Sequence, residues 1–111
     1  MKIVYLSFLL LLINLVASAA PFIVKDGEAH AEIVLSDDAP RSTRFAARDL
    51  QVYLEKISGA KLTVVSKPSG KGLVKLFVGE SEGTRALKLS IKGLEHGAYR
   101  LASGSDWLAF L

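Results

Sequence analysis

No cysteine occurs anywhere in the 111 residues. No disulfide can therefore staple the fold, and no thiol near the amino terminus can take a lipid, which sets a lipoprotein aside. An excess of one charge is lacking as well, since 14 basic residues stand against 11 acidic ones. So mild a balance implies neither nucleic acid nor an anionic membrane surface as a partner. Internal repeats and low-complexity tracts are absent after the first twenty residues. Long apolar runs are missing too, apart from Ile3–Val16 at the start of the chain.

That run follows Lys2 and leads into Ala17-Ser18-Ala19-Ala20-Pro21, which completes the three parts of a secretory signal peptide. Cleavage after Ala19 puts small residues at both positions the peptidase inspects, Ala17 and Ala19. The run falls short of the roughly 20 apolar residues of a spanning helix, and Asn14 interrupts it, so membrane contact is expected only through an uncleaved leader. Residues 1–19 are thus expected to be removed, and residues 20–111 to form one exported domain, periplasmic or extracellular. Only Lys2 among the 14 basic residues is lost, leaving 13 against 11 acids and a net charge of +2. A chain of this size buries roughly 60 to 65% of its unfolded surface, so an apolar core alone must hold one domain together.

Phe22-Ile23-Val24 and Ala29–Leu35 read as two strands joined around Asp26-Gly27, a dipeptide suited to a tight hairpin turn. In the second strand Ala29, Ala31, Ile33 and Leu35 share one face, expected to be buried. Glu28, His30, Glu32 and Val34 share the other, expected to be mostly wet. Asp37-Asp38 supply acidic capping candidates, and Pro40 suits a first helical turn, so a long helix should begin there and stop at Gly59. At about 100° per residue, Ala46, Ala47, Leu50, Tyr53, Leu54 and Ile57 gather on one side as its core face. Leu62–Val65 and Leu73–Val78 read as strands flanking a polar turn. The second is apolar on both faces except at Lys75, which argues for an interior position. Glu80–Leu89 carries acids first and Arg85 and Lys88 later, the order a short helix prefers, although Gly83 weakens it. Ala98–Ala102 and Asp106–Leu111 form an expected last hairpin about Ser103-Gly104-Ser105. The chain stops inside that final strand, so the domain is expected to be incomplete at its C-terminus.

The expected fold class is therefore α/β, in the sense of an α+β sandwich: a mixed sheet of about five to six strands packed by one long and one short helix. Several words within these elements resemble the N-terminal domain of secreted glycoside hydrolases. They are Asp38-Ala39-Pro40, Arg44–Leu54, Ile57–Leu62 and Phe77–Ser81, with Glu82–Leu87, Gly97–Arg100 and Asp106–Leu108 fitting the same pattern. The chain is most similar to the domain that precedes the catalytic barrel in alpha-glucuronidases, a fold shared with the N-terminal domain of beta-hexosaminidases. The resemblance implies an exported, non-catalytic accessory domain in polysaccharide degradation, with an adjacent catalytic barrel as partner. It implies too that a further helix and then the barrel follow the last strand. Being framework words, they specify fold better than substrate. No catalytic residue of the barrel can be placed on this chain, and no cofactor is implied. A free-standing carbohydrate-binding module, with polysaccharide as its ligand, and a non-functional gene fragment stay open as alternatives.

Read for chemistry, the residues offer little. Glu28, His30 and Glu32 imitate a metal site, but alternate strand side chains lie about 7 Å apart, too far for one ion without bending the backbone. Asp37-Asp38 and Glu80-Glu82 are the carboxylate pairs available for glycoside hydrolysis, yet each sits at a helix entrance where capping explains it. No nucleophile elbow is present, His96 beside Gly97 reads as loop, and the glycine-rich turn at 69–72 lacks the helix a phosphate loop requires. Tyr53, Tyr99 and Trp107 are expected to pack inside the domain. The one candidate site is a domain interface. Phe45 and Val52, flanked by Arg41, Arg44 and Arg48, lie on the side of the helix away from its expected core face. The open alternative is that Phe45 lies over its own domain near the helix start, with the arginines solvated.

Overall fold

The computed structural model of the chain describes residues 21–111, so the expected leader and its cleavage position lie outside the described residues. The first element is a small antiparallel ribbon of β1 (Val24–Lys25) and β2 (Glu28–Ala29), with Val24 opposite Ala29 and Lys25 opposite Glu28. Asp26 and Gly27 turn between them with φ of 51° and 76°. Two successive positive φ values suit the right-handed twist of a hairpin, as the Asp-Gly pair promised.

At His30 the backbone changes partners. Its N–H donates to Ile23 of the ribbon, while its carbonyl accepts from Val74 across the main sheet. The strand expected over 29–35 is consequently two strands, and the second, β3 (Ala31–Val34), enters a five-stranded sheet. The sheet is completed by β4 (Thr63–Val65), β5 (Val74–Val78), β6 (Leu101–Ser103) and β7 (Trp107–Phe110), in the order β4-β3-β5-β7-β6. Neighbours are parallel except β6, which pairs antiparallel with β7 as the closing hairpin. The mixed sheet and the hairpin agree with expectation. The wet face of β3 does not, because all four of its residues are buried.

The reason is that both faces of the sheet carry cover. On one, Ala31, Ile33, Leu62, Val74, Leu76 and Val78 meet Ala47 of the long helix α1 (Arg41–Ser58), with Leu50 and Leu54 packed at the margin. On the other, Val34, Phe77 and Ala109 lie with Val65, Leu89 and Trp107, beneath the short helix α2 (Glu82–Ala86) and its neighbouring loops. Glu32 faces this second side and is only 2% exposed, because loop 66–73 crosses it and the Ser69 N–H donates to Glu32 Oε1 at 2.8 Å. A carboxylate is tolerated there because a backbone donor satisfies it. Lys75, the polar interruption in interior strand β5, reaches Asp106 at 2.6 Å on the adjoining strand end.

The two helices obey different local rules. α1 starts just after Pro40 and ends at Gly59, whose φ of 77° is left-handed and whose N–H bonds to the Glu55 carbonyl. Its end is therefore closed as a C-terminal glycine closes a helix. Its beginning is not closed by the acids expected to do so. No side chain caps it, and Asp38 instead accepts from the Ser36 hydroxyl. In α2 a reciprocal capping box joins Ser81 and Thr84, both buried. Gly83, which weakened this helix on propensity, is what lets it lie on the sheet, since an added Cβ would stand 2.5 Å from the Phe77 ring.

Candidate docking surface

The face α1 turns to the sheet is rotated from the one expected. Ala47, Leu50 and Leu54 do face the core, and Gln51 Nε2 donates to the Leu62 carbonyl at 2.7 Å, tying the helix to the strand that follows it. Tyr53 and Ile57 do not, being 60% and 82% exposed, and Ala46 is exposed with them. The helix carries more apolar residues than one stripe requires. At about 100° per residue, Ala46, Tyr53 and Ile57 form a second ribbon beside the buried one. α1 lies over β4 and β5, and among the described residues β7 and β6 have no comparable helix packed on the same side of the sheet.

Between that ribbon and the bare end of the sheet runs an apolar trough. Its floor is Ala46, Leu50, Val78 and Phe110, and it widens past Thr43, Tyr99, Leu101 and Leu111 into a groove of about 420 Å³. Tyr99 is 73% exposed and Leu101 is exposed on the edge strand. Tyr99, expected to be internal, thus borders an open apolar surface. Tyr53, expected to be internal too, is exposed with the Lys56 ammonium over its ring at 5.2 Å, and only Trp107 of the three is turned into the domain, over Gly104. The apolar spacing of Ala46 and Leu50 is the sequence signal for this trough, and it is indistinguishable from a broad core stripe while the strands beneath it are unplaced.

Phe45 and Val52 form a third ribbon on the back of α1, separated from Tyr53 and Ile57 by the polar line Ser42, Asp49 and Lys56. Phe45 is 49% exposed, and the Arg41 guanidinium lies over its ring at 5.1 Å. Such a cation on a ring face covers part of the aromatic surface with the domain's own charge. Arg44 turns back to donate to the Ala39 carbonyl at 2.8 Å, and Arg48 is exposed. Among the described residues none of these three arginines joins an ion pair.

The residues weighed for chemistry disperse, with one exception. Glu28 and His30 are exposed at the small ribbon while Glu32 lies under loop 66–73, and no group of three potential ligands with metal-binding geometry occurs among the described residues. His96 sits in a loop with φ of 53° beside Glu95. Asp38 and Glu80, one from each carboxylate pair, line a common cleft with Arg85. The Asp38 carboxyl is held below its ordinary value, first by the Ser36 hydroxyl, then by a backbone N–H, with Arg85 adding to it. A glycosidic general acid needs the opposite shift, so Asp38 does not fit that role. No known protein family, curated protein or solved structure is matched by this chain.

Proposed function

We propose that the chain is an exported, non-catalytic accessory domain of a carbohydrate-active enzyme, of the alpha-glucuronidase or beta-hexosaminidase-like type, that packs against a neighbouring catalytic barrel. The framework words around α1 and its glycine stop support the family, and the α+β fold with a five-stranded mixed sheet is consistent with the finer, hexosaminidase-like reading. The observation that carries docking is the trough. A sheet side on which, among the described residues, a helix covers one part and Ala46, Tyr99, Leu101 and Phe110 line an open groove over the rest presents the kind of apolar patch that monomeric surfaces rarely keep bare. The Phe45 and Val52 ribbon, with Arg41, Arg44 and Arg48 beside it, supplies a second contact to the same or another neighbour. Export rests on Lys2, the apolar run and Ala17-Ser18-Ala19.

A second reading is favoured by Tyr99 itself. Exposed aromatics beside a groove are how sugar rings are held, which suits a free-standing carbohydrate-binding module. Calorimetric titration of the chain with xylan, glucuronoxylan and chitin fragments separates the two. The accessory-domain reading expects no saturable heat with any of them. Saturable binding that disappears in Tyr99→Ala would replace it with the module.

A further inference from the structure

β3 and β5 lie side by side and run parallel, yet the chain leaves their carboxyl ends in opposite directions. From β3 it passes to α1 on one side of the sheet and on to β4. From β5 it passes to α2 on the other side and on toward β7. Such a reversal holds the two outgoing loops apart and opens a crevice beyond the strand ends, where open α/β sheets place their ligands. A cleft of about 340 Å³ stands at this point, with Asp38 and Thr43 on the α1 wall, Glu80 and Arg85 on the α2 wall, and Ile91 and Leu111 beside them. Its volume is at the lower end of the range for small-molecule sites.

The walls carry both signs of charge. A simple anion brought to Arg85 meets the Asp38 and Glu80 carboxylates, and a simple cation brought to those carboxylates meets Arg85 and the positive end of α1, which no side chain caps. A molecule bearing both charges a few ångströms apart satisfies both walls at once. We infer that this cleft is a binding site for a small zwitterion with an apolar side chain, of the chemical class of a free aliphatic α-amino acid. Its carboxylate faces Arg85 and the first turn of α1, its ammonium faces Asp38 and Glu80, and its side chain lies on Ile91 and Leu111. The Asp38 carboxyl is held in its charged form chiefly by the Ser36 hydroxyl and a backbone N–H, with Arg85 adding least. The site adjoins the trough, sharing Thr43, Gly79 and Leu111 with it, but its charged groups Asp38, Glu80 and Arg85 lie outside the trough.

Calorimetric titration of the 111-residue chain with L-leucine tests this, beside isovalerate (the carboxylate alone), isoamylamine (the ammonium alone) and xylose (a neutral polyol). The inference expects saturable millimolar binding of leucine, with isovalerate and isoamylamine each weaker by about tenfold or more. Arg85→Ala and Asp38→Asn, both exposed and outside the core, should each weaken leucine by a similar factor while leaving the thermal unfolding transition in place. The inference is overturned by the absence of saturable leucine binding, by leucine binding that both variants leave unchanged, or by xylose or either single-charge probe binding as well as leucine.

Discussion

Glu32 and Gly83 are the two residues whose chemistry most departs from their surroundings, and each has one identifiable partner. Replacing Glu32 with Ala leaves the Ser69 N–H under loop 66–73 without its acceptor, a loss of about 1 to 3 kcal/mol in denaturant unfolding. Glu32→Gln keeps an acceptor and should cost clearly less; equal losses would mean that the contact is not what holds the loop. Gly83→Ala pushes a methyl into the Phe77 ring and should destabilise by about 1 to 3 kcal/mol, against the gain helix propensity alone would give. Asp38 adds a pH dependence of known sign. Its folded value lies below the ordinary one, so its contribution is present above the unfolded value and is lost as the pH falls through the folded one. Asp38→Asn should therefore lower stability slightly at neutral pH, converge with the unsubstituted chain at low pH, and so flatten the acid limb of the stability curve. None of these three contacts was legible in the sequence. Glu32 looked like a solvated strand face because the loop that covers it crosses from β4 to β5 over β3, a relation local spacing does not encode. Asp38 looked like a cap because its neighbours in sequence allow one.

At the scale of elements, the sequence carried the boundaries well and the orientations poorly. Gly59 stops α1 and Asp26-Gly27 turns the ribbon, because each depends on residues adjacent in the chain. The last hairpin turns one residue later than expected, over Gly104-Ser105-Asp106, with Ser103 closing β6 opposite Leu108. Which side of α1 meets the sheet depends on where the sheet lies, and two apolar ribbons on one helix leave that undetermined. Substitution along α1 measures the rotation directly. Leu50→Ala and Leu54→Ala, at the core margin, should cost on the order of 2 kcal/mol, near the lower end for truncation of a buried leucine because both remain partly exposed. Tyr53→Ser and Ile57→Ser should each stay within about 0.5 kcal/mol in the chain alone, as surface changes do. Comparable losses at Ile57 and Leu54 would put the helix back on the face expected from periodicity.

For the molecule as a whole, a half-covered sheet side joins the fold to the proposed role. The trough and the exposed edge of β6 are where strands of other chains or apolar surfaces add. Leu101→Lys on that edge should lower concentration-dependent light scattering without shifting the unfolding midpoint, since Leu101 buries little of its own surface. The sequence made the mixed α+β sheet readable, while the place of the trough depends on the strand order, which sets β7 and β6 past the strands α1 covers. Docking against a catalytic neighbour is the central claim. Sedimentation velocity of the chain mixed with a separately produced alpha-glucuronidase-type barrel tests it most directly. The account predicts a one-to-one complex that Leu101→Glu disrupts, with the unfolding transition of the variant chain retained. Independent sedimentation of the two components, or a complex indifferent to Leu101→Glu, would contradict it.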